Sequence, residues 1–60
     1  MTLANYIMKV NTEVLLLTAS NVALSDLVDF ADGEISLCAM HDSKVPPKVA
    51  ARRILRANGF

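Results

Sequence analysis

One cysteine and one histidine are all that this 60-residue chain holds of either type. Cys38 therefore has no partner for an internal disulfide, and with His41 alone it cannot build a zinc site. Secreted, disulfide-stapled mini-proteins and zinc fingers are both excluded. Tryptophan is absent, and glycine and proline occur twice each, with neither in the first 32 residues. No uninterrupted apolar run exceeds four residues, as in Val14–Leu17, against the ~20 needed to span a bilayer. A basic-then-apolar leader with a small-residue cleavage site is missing too. The expectation is a cytoplasmic protein with Cys38 reduced and no membrane contact.

What is there is globular in composition: 53% hydrophobic and 20% charged. Sixty residues allow one domain, 1–60. Its folded surface scales to roughly 3,800 Å² against about 9,400 Å² for the extended chain. Such a core is marginal and calls for a staple or a partner. Formal net charge is zero but unevenly spread. Residues 1–43 carry −5, with Lys9 against six acids, and residues 44–60 carry +5 with no acid. A basic end of this kind meets phosphates, an acidic partner, or the acidic part of its own chain.

Residues 2–18 read as a helix with Thr2 as N-cap. Leu3, Tyr6, Ile7, Val10, Val14 and Leu17 form one stripe, and Lys9 and Glu13 pair at i, i+4 opposite it. A strand over Val10–Thr18 competes, because β-branched residues are frequent there, and a bend or break near Asn11-Thr12 would be no surprise. Leu15 and Leu16 lie off the stripe and predict a second apolar contact. After the polar break Thr18–Asn21, Ser25 is placed to cap a short helix from Asp26 to Ala31. Asp32-Gly33 reads either as a helix stop or as a hairpin turn between Val28, Phe30 and Ile35, Leu37. Ser36 is placed to cap a helix running through Ser43. Lys44-Val45-Pro46-Pro47 breaks the chain, Pro47 opens a last helix, and Gly59 stops it. On that helix Ala50, Ala51, Ile54, Leu55 and Ala57 share one side, and Lys48, Arg52, Arg53 and Arg56 the other.

The expected fold is all-α, three to four short helices, with an α+β hairpin form as the alternative. The expected core is Leu3, Tyr6, Ile7, Val10, Val14, Leu17, Leu27, Phe30, Ile35, Met40, Val49, Ile54 and Leu55. Cys38 and His41, three residues apart, have the makings of a nucleophilic pair. A chain this short has little room for a pocket and an oxyanion hole around them, so the protein is expected not to be an enzyme. No cofactor, metal or small-molecule substrate is expected. Lys48, Arg52 and Arg56 have the spacing to touch successive phosphates or an acidic surface along one helix face, whereas Arg53, nearer the apolar edge, is placed to pair with Asp29 or Asp32.

From Leu27 onward the order of features resembles a phage helix-turn-helix repressor of the Cro type. Leu27–Gly33 resembles that family's first motif helix and turn, and Ile35–His41 the start of its recognition helix. Val45-Pro46-Pro47-Lys48-Val49-Ala50-Ala51-Arg52 resembles the Ile-Pro-x-Lys-x-Ala-x-Arg stretch that opens the following helix, and Thr2–Lys9 the first helix of another relative. This resemblance implies a helix-turn-helix-like fold and a small phage- or plasmid-type transcriptional repressor that binds DNA as a dimer. Leu37 and Cys38 suit base edges poorly, and Asp42 would repel phosphate, so the last helix is expected to carry more of the contact. A second resemblance is to the haemolysin-expression-modulating family. It rests on Asn5–Lys9, Leu24–Asp26, Ala31-Asp32 and Lys44–Val49, and it implies a small regulator that binds a nucleoid-structuring protein without reading DNA itself. The DNA- or partner-binding residues under these readings are Lys44, Lys48, Arg52, Arg53 and Arg56, with Ser36 and His41 on the shorter helix. A marginal core with Leu15 and Leu16 off the stripe predicts a homodimer.

Overall fold

A computed structural model describes residues 1–27 and 36–60. Its regular structure is all helical: α1 (Leu3–Leu17), a 3-10 turn (Leu24–Asp26), α2 (Leu37–Asp42) and α3 (Pro47–Ala57). The first half of the hairpin alternative and the core positions Phe30 and Ile35 fall outside the described residues. Leu37, assigned to its second strand, is helical.

α1 starts where a threonine can cap it. The Asn5 N–H donates to Thr2 Oγ1 at 3.2 Å, which satisfies one of the orphan donors of the first turn. The helix then runs unbroken through Asn11-Thr12 to Leu17, so the Val10–Thr18 stretch is not a strand. The two polar side chains are absorbed differently. Thr12 donates back to the Met8 carbonyl at 3.0 Å. Asn11 Oδ1 accepts from the Leu24 N–H at 2.8 Å and so caps the 3-10 turn from across the chain. Lys9 and Glu13 form no ion pair; among the described residues the one close charge contact is His41–Asp42.

Ser25 does not cap a helix from Asp26. It lies inside the 3-10 turn, Asp26 Oδ2 accepts from the Ala23 N–H at 3.0 Å, and Leu27 is extended at ψ 156°. The Asp26 carboxylate reaches back three residues to the N–H of the residue that precedes the turn. Ser36 does cap as expected: its Oγ accepts from the Ala39 N–H at 3.1 Å.

The three α-helices among the described residues end in the same way. In each, the N–H two residues past the C-cap donates to the carbonyl of the third-last helical residue: Ser20 to Leu15 at 2.7 Å, Val45 to Met40 at 2.9 Å and Phe60 to Leu55 at 3.0 Å. This is the Schellman closure, and it needs a left-handed residue between cap and donor. Only the last end supplies glycine, Gly59 at φ 88°. The other two use Ala19 at φ 53° and Lys44 at φ 58°, and Ser20 is left-handed too, at φ 66°. At the first end the Thr18 hydroxyl compensates: it donates to the Val14 carbonyl at 2.8 Å and accepts from the Val22 N–H at 3.2 Å.

The core is the seam between α1 and α3, the largest interface among the described elements. Tyr6, Val10 and Val14 from α1 meet Ala50, Ala51, Ile54 and Leu55 from α3, and Met40 of α2 fills the end. Val22, Leu24, Leu27, Leu37 and Val45 pack around this cluster. Leu3, Ile7, Leu27 and Val49 are half-buried rather than central, and Ala57 faces solvent. Leu17 is the clear exception to the stripe: it is 42% exposed. It lies in register with Val10 and Val14, but α3, at 11 residues against 15 for α1, is shorter by about one helical turn. α1 and α3 run side by side in roughly the same sense, since Tyr6 near the start of one bonds Val45 just before the other.

The left-handed caps give the first test. A residue with a Cβ held there carries about 1–2 kcal/mol of strain. Ala19→Gly and Lys44→Gly should each stabilise the protein by up to about 1 kcal/mol, part of the relief being offset by unfolded-chain entropy. A Cβ added at Gly59 meets nothing within 4 Å, so Gly59→Ala should cost about 1 kcal/mol through the backbone alone. Urea midpoints with unchanged slopes measure all three. Equal midpoints for wild type and both glycine variants would contradict the assignment.

Candidate functional site

α3 positions four of the sequence-predicted binding residues. Pro47 opens the helix, and the Ala50 N–H closes on the Pro46 carbonyl at 2.9 Å. The buried face Ala50, Ala51, Ile54, Leu55 then fixes its rotation about its axis. Lys48, Arg52 and Arg56 follow at i, i+4, i+8 and are exposed, on a helix that contains no acidic residue. None of the three makes an ion pair among the described residues. Lys44 is exposed as well, its backbone held left-handed by the end of α2.

Arg53 is exposed on the opposite flank of α3, where its charge acts on Tyr6. Its expected partners Asp29 and Asp32 lie outside the described residues. Tyr6 donates its hydroxyl proton to the Val45 carbonyl at 2.7 Å. Burial raises the Tyr6 pKa above its ordinary 10.0, and the Arg53 guanidinium pulls the other way.

The two predicted residues of α2 are placed less favourably for binding. Ser36 is only 6% exposed, and its oxygen is occupied by the cap. His41 stands edge-on to the Tyr6 ring with centroids 5.2 Å apart. Its Nε2 lies 2.9 Å from the Met1 carbonyl oxygen, and its Nδ1 3.6 Å from Asp42 Oδ1. The imidazole thus packs α2 against the start of α1, beside an open cavity of about 530 Å³ that Pro46 and Pro47 also line. Cys38 is exposed.

A feature that the sequence reading did not assemble lies at the other end of the seam. Leu17, Val22, Leu55 and Phe60 form the floor of an open groove of about 470 Å³, and Arg52 and Arg56 line its edge. Two of the three stripe cations therefore border apolar surface, and none of the described residues lining the groove is acidic. Phe60, 43 positions from Leu17, is 66% exposed.

The chain matches no protein-family model, no curated protein and no solved structure. Among the described residues no helix is long and apolar enough to cross a membrane.

Tyr6 gives a pH test with a definite sign. Its folded pKa is raised, so the neutral phenol stabilises the fold at and below pH 10, and that contribution is lost as pH rises through the folded value. Tyr6→Phe should cost about 0.5–1.5 kcal/mol at neutral pH through the lost hydrogen bond. The gap between variant and wild type should then narrow as pH rises above 10. Parallel stability curves over that range would refute the role given to the phenol.

Proposed function

We propose that the protein is a small, non-catalytic, DNA-associated transcriptional regulator that acts in the cytoplasm as a dimeric repressor. The observation that carries this reading is the exposed line Lys48, Arg52, Arg56 on a helix without acids. Successive cations lie about 6 Å apart along the axis, a spacing that lets one helix face follow a run of phosphates. Phosphate contacts position a protein on the duplex without specifying sequence. The choice of repression follows the resemblance of the residue order to Cro-type proteins. Dimerisation belongs to the same reading, and the outer face of α1 supplies apolar surface for it in Met8 and Leu16, 66% and 69% exposed.

A second reading has its own support. The groove beside Arg52 and Arg56 offers apolar surface that a phosphate backbone does not use, and it favours a protein partner.

Salt titrations against duplex DNA test the first reading. Lys48→Ala, Arg52→Ala and Arg56→Ala should each weaken binding to all sequences alike and lower the salt slope by about 1. Arg53→Ala, on the other flank, should leave the slope unchanged. No binding at ~50 mM salt rejects direct DNA contact. The dimer is tested by dilution: the melting point should fall with protein concentration, and a concentration-independent melt with a monomeric mass by light scattering refutes it.

A further inference from the structure

We propose that the groove between the C-terminal ends of α1 and α3 is a docking site for an acidic amphipathic helix of a partner protein. The inference builds on the protein-partner reading and stands apart from DNA binding.

The floor comes from an end-effect of packing. Leu17 continues the buried stripe Tyr6, Val10, Val14 but outruns the helix that should cover it. Phe60 is brought beside it by the Schellman closure of α3, in which its N–H bonds the Leu55 carbonyl. Leu55 is buried and Val22 half-buried, so the floor is backed by the core rather than by mobile side chains. A volume near 470 Å³ is within the range of ligand sites. A small molecule would nonetheless leave much of its surface wet, because Leu17 and Phe60 are both open to solvent. An occupant that brings its own covering surface fits better, and an amphipathic helix laid in a groove between two helices is a general solution.

The edge selects the charge. Arg52 and Arg56 are one helical turn apart, and no described acid lines the groove. Carboxylates at i and i+4 on a docked helix have the same spacing, so two charge-assisted hydrogen bonds can form along one side while leucine-type anchors enter the floor. A second copy docking groove to groove would bring four arginines together, which disfavours self-pairing at this surface. Duplex DNA would engage the arginines and leave the floor exposed.

The test is fluorescence anisotropy on the full chain with three labelled synthetic peptides of about four helical turns. The first carries Leu at i, i+3, i+4 and i+7 with Glu on the flanks; the second has Ser for Leu; the third has Lys for Glu. The first should bind saturably and the other two at least about tenfold more weakly. Leu17→Ala and Phe60→Ala change exposed side chains and should keep the helical circular dichroism, yet each should weaken the first peptide several-fold. Arg52→Gln with Arg56→Gln should weaken it and remove most of its salt dependence. Lys48→Ala lies outside the groove and should leave the peptide unaffected, whereas it should reduce any DNA salt slope. That contrast separates failure of this site from failure of the DNA reading. The proposal is overturned by absent binding, by equal binding of all three peptides, or by groove variants that alter only self-association or only DNA affinity.

Discussion

Two alanines hold this fold together. Ala50 and Ala51 of α3 are fully buried in the seam, as are Val10 and Val14 of α1. Small side chains take little room between two short helices, and Ile54, Leu55, Tyr6 and Met40 complete the same cluster. A 60-residue chain has about 3–5 kcal/mol of stability to draw on, and each of the larger buried side chains contributes about 1.5–3 kcal/mol. Loss of the seam would exceed what the remaining contacts supply. α2 is joined to it by Met40 in the core and by the His41–Met1 contact, the chain just before α3 by the Tyr6–Val45 bond, and the 3-10 turn by the Asn11–Leu24 bond. The left-handed strain at Ala19 and Lys44 is sustained by the same packing.

The seam also organises the surface. A helix held by one face must show the other, and on α3 that face carries four cations. Their distribution follows from the helical angle: Lys48, Arg52 and Arg56 stay together, and Arg53 turns toward Tyr6. Because α1 outlasts α3, the same geometry leaves apolar surface next to two of the arginines. An exposed line of cations and an apolar groove beside it are thus consequences of a single packing arrangement. Competition between DNA and a protein partner for Arg52 and Arg56 would follow directly if both are engaged.

Features set by neighbouring residues were legible in the sequence. Thr2, Ser36, Pro47 and Gly59 mark helix ends through local chemistry, and the structure uses each one as expected. The all-α class and the two faces of the last helix were legible for the same reason. Features set by length or distance were not. The stripe assigns Leu17 to the core, because periodicity records direction and not where the opposing helix stops. Ser25 has the side chain of a cap, but the 3-10 turn that encloses it is held by Asn11 from 13 residues away. Alanine and lysine give no sign of left-handed backbone, so two of the three Schellman ends were hidden. The groove depends on Leu17 and Phe60 lining one surface, and no local pattern announces that. His41 entered as a binding residue through the resemblance of its segment to a recognition helix, and its packing on Tyr6 and Met1 emerges only from the three-dimensional contacts.

The most direct test of the seam is native-state hydrogen exchange followed residue by residue. If α1 and α3 form one cooperative unit, the amides of Val10, Val14, Ile54 and Leu55 share the highest protection, equal to that of global unfolding, while the 3-10 turn and the helix ends exchange sooner. Exchange of the α3 amides orders of magnitude faster than those of α1 would show that α3 detaches on its own, and would contradict the account.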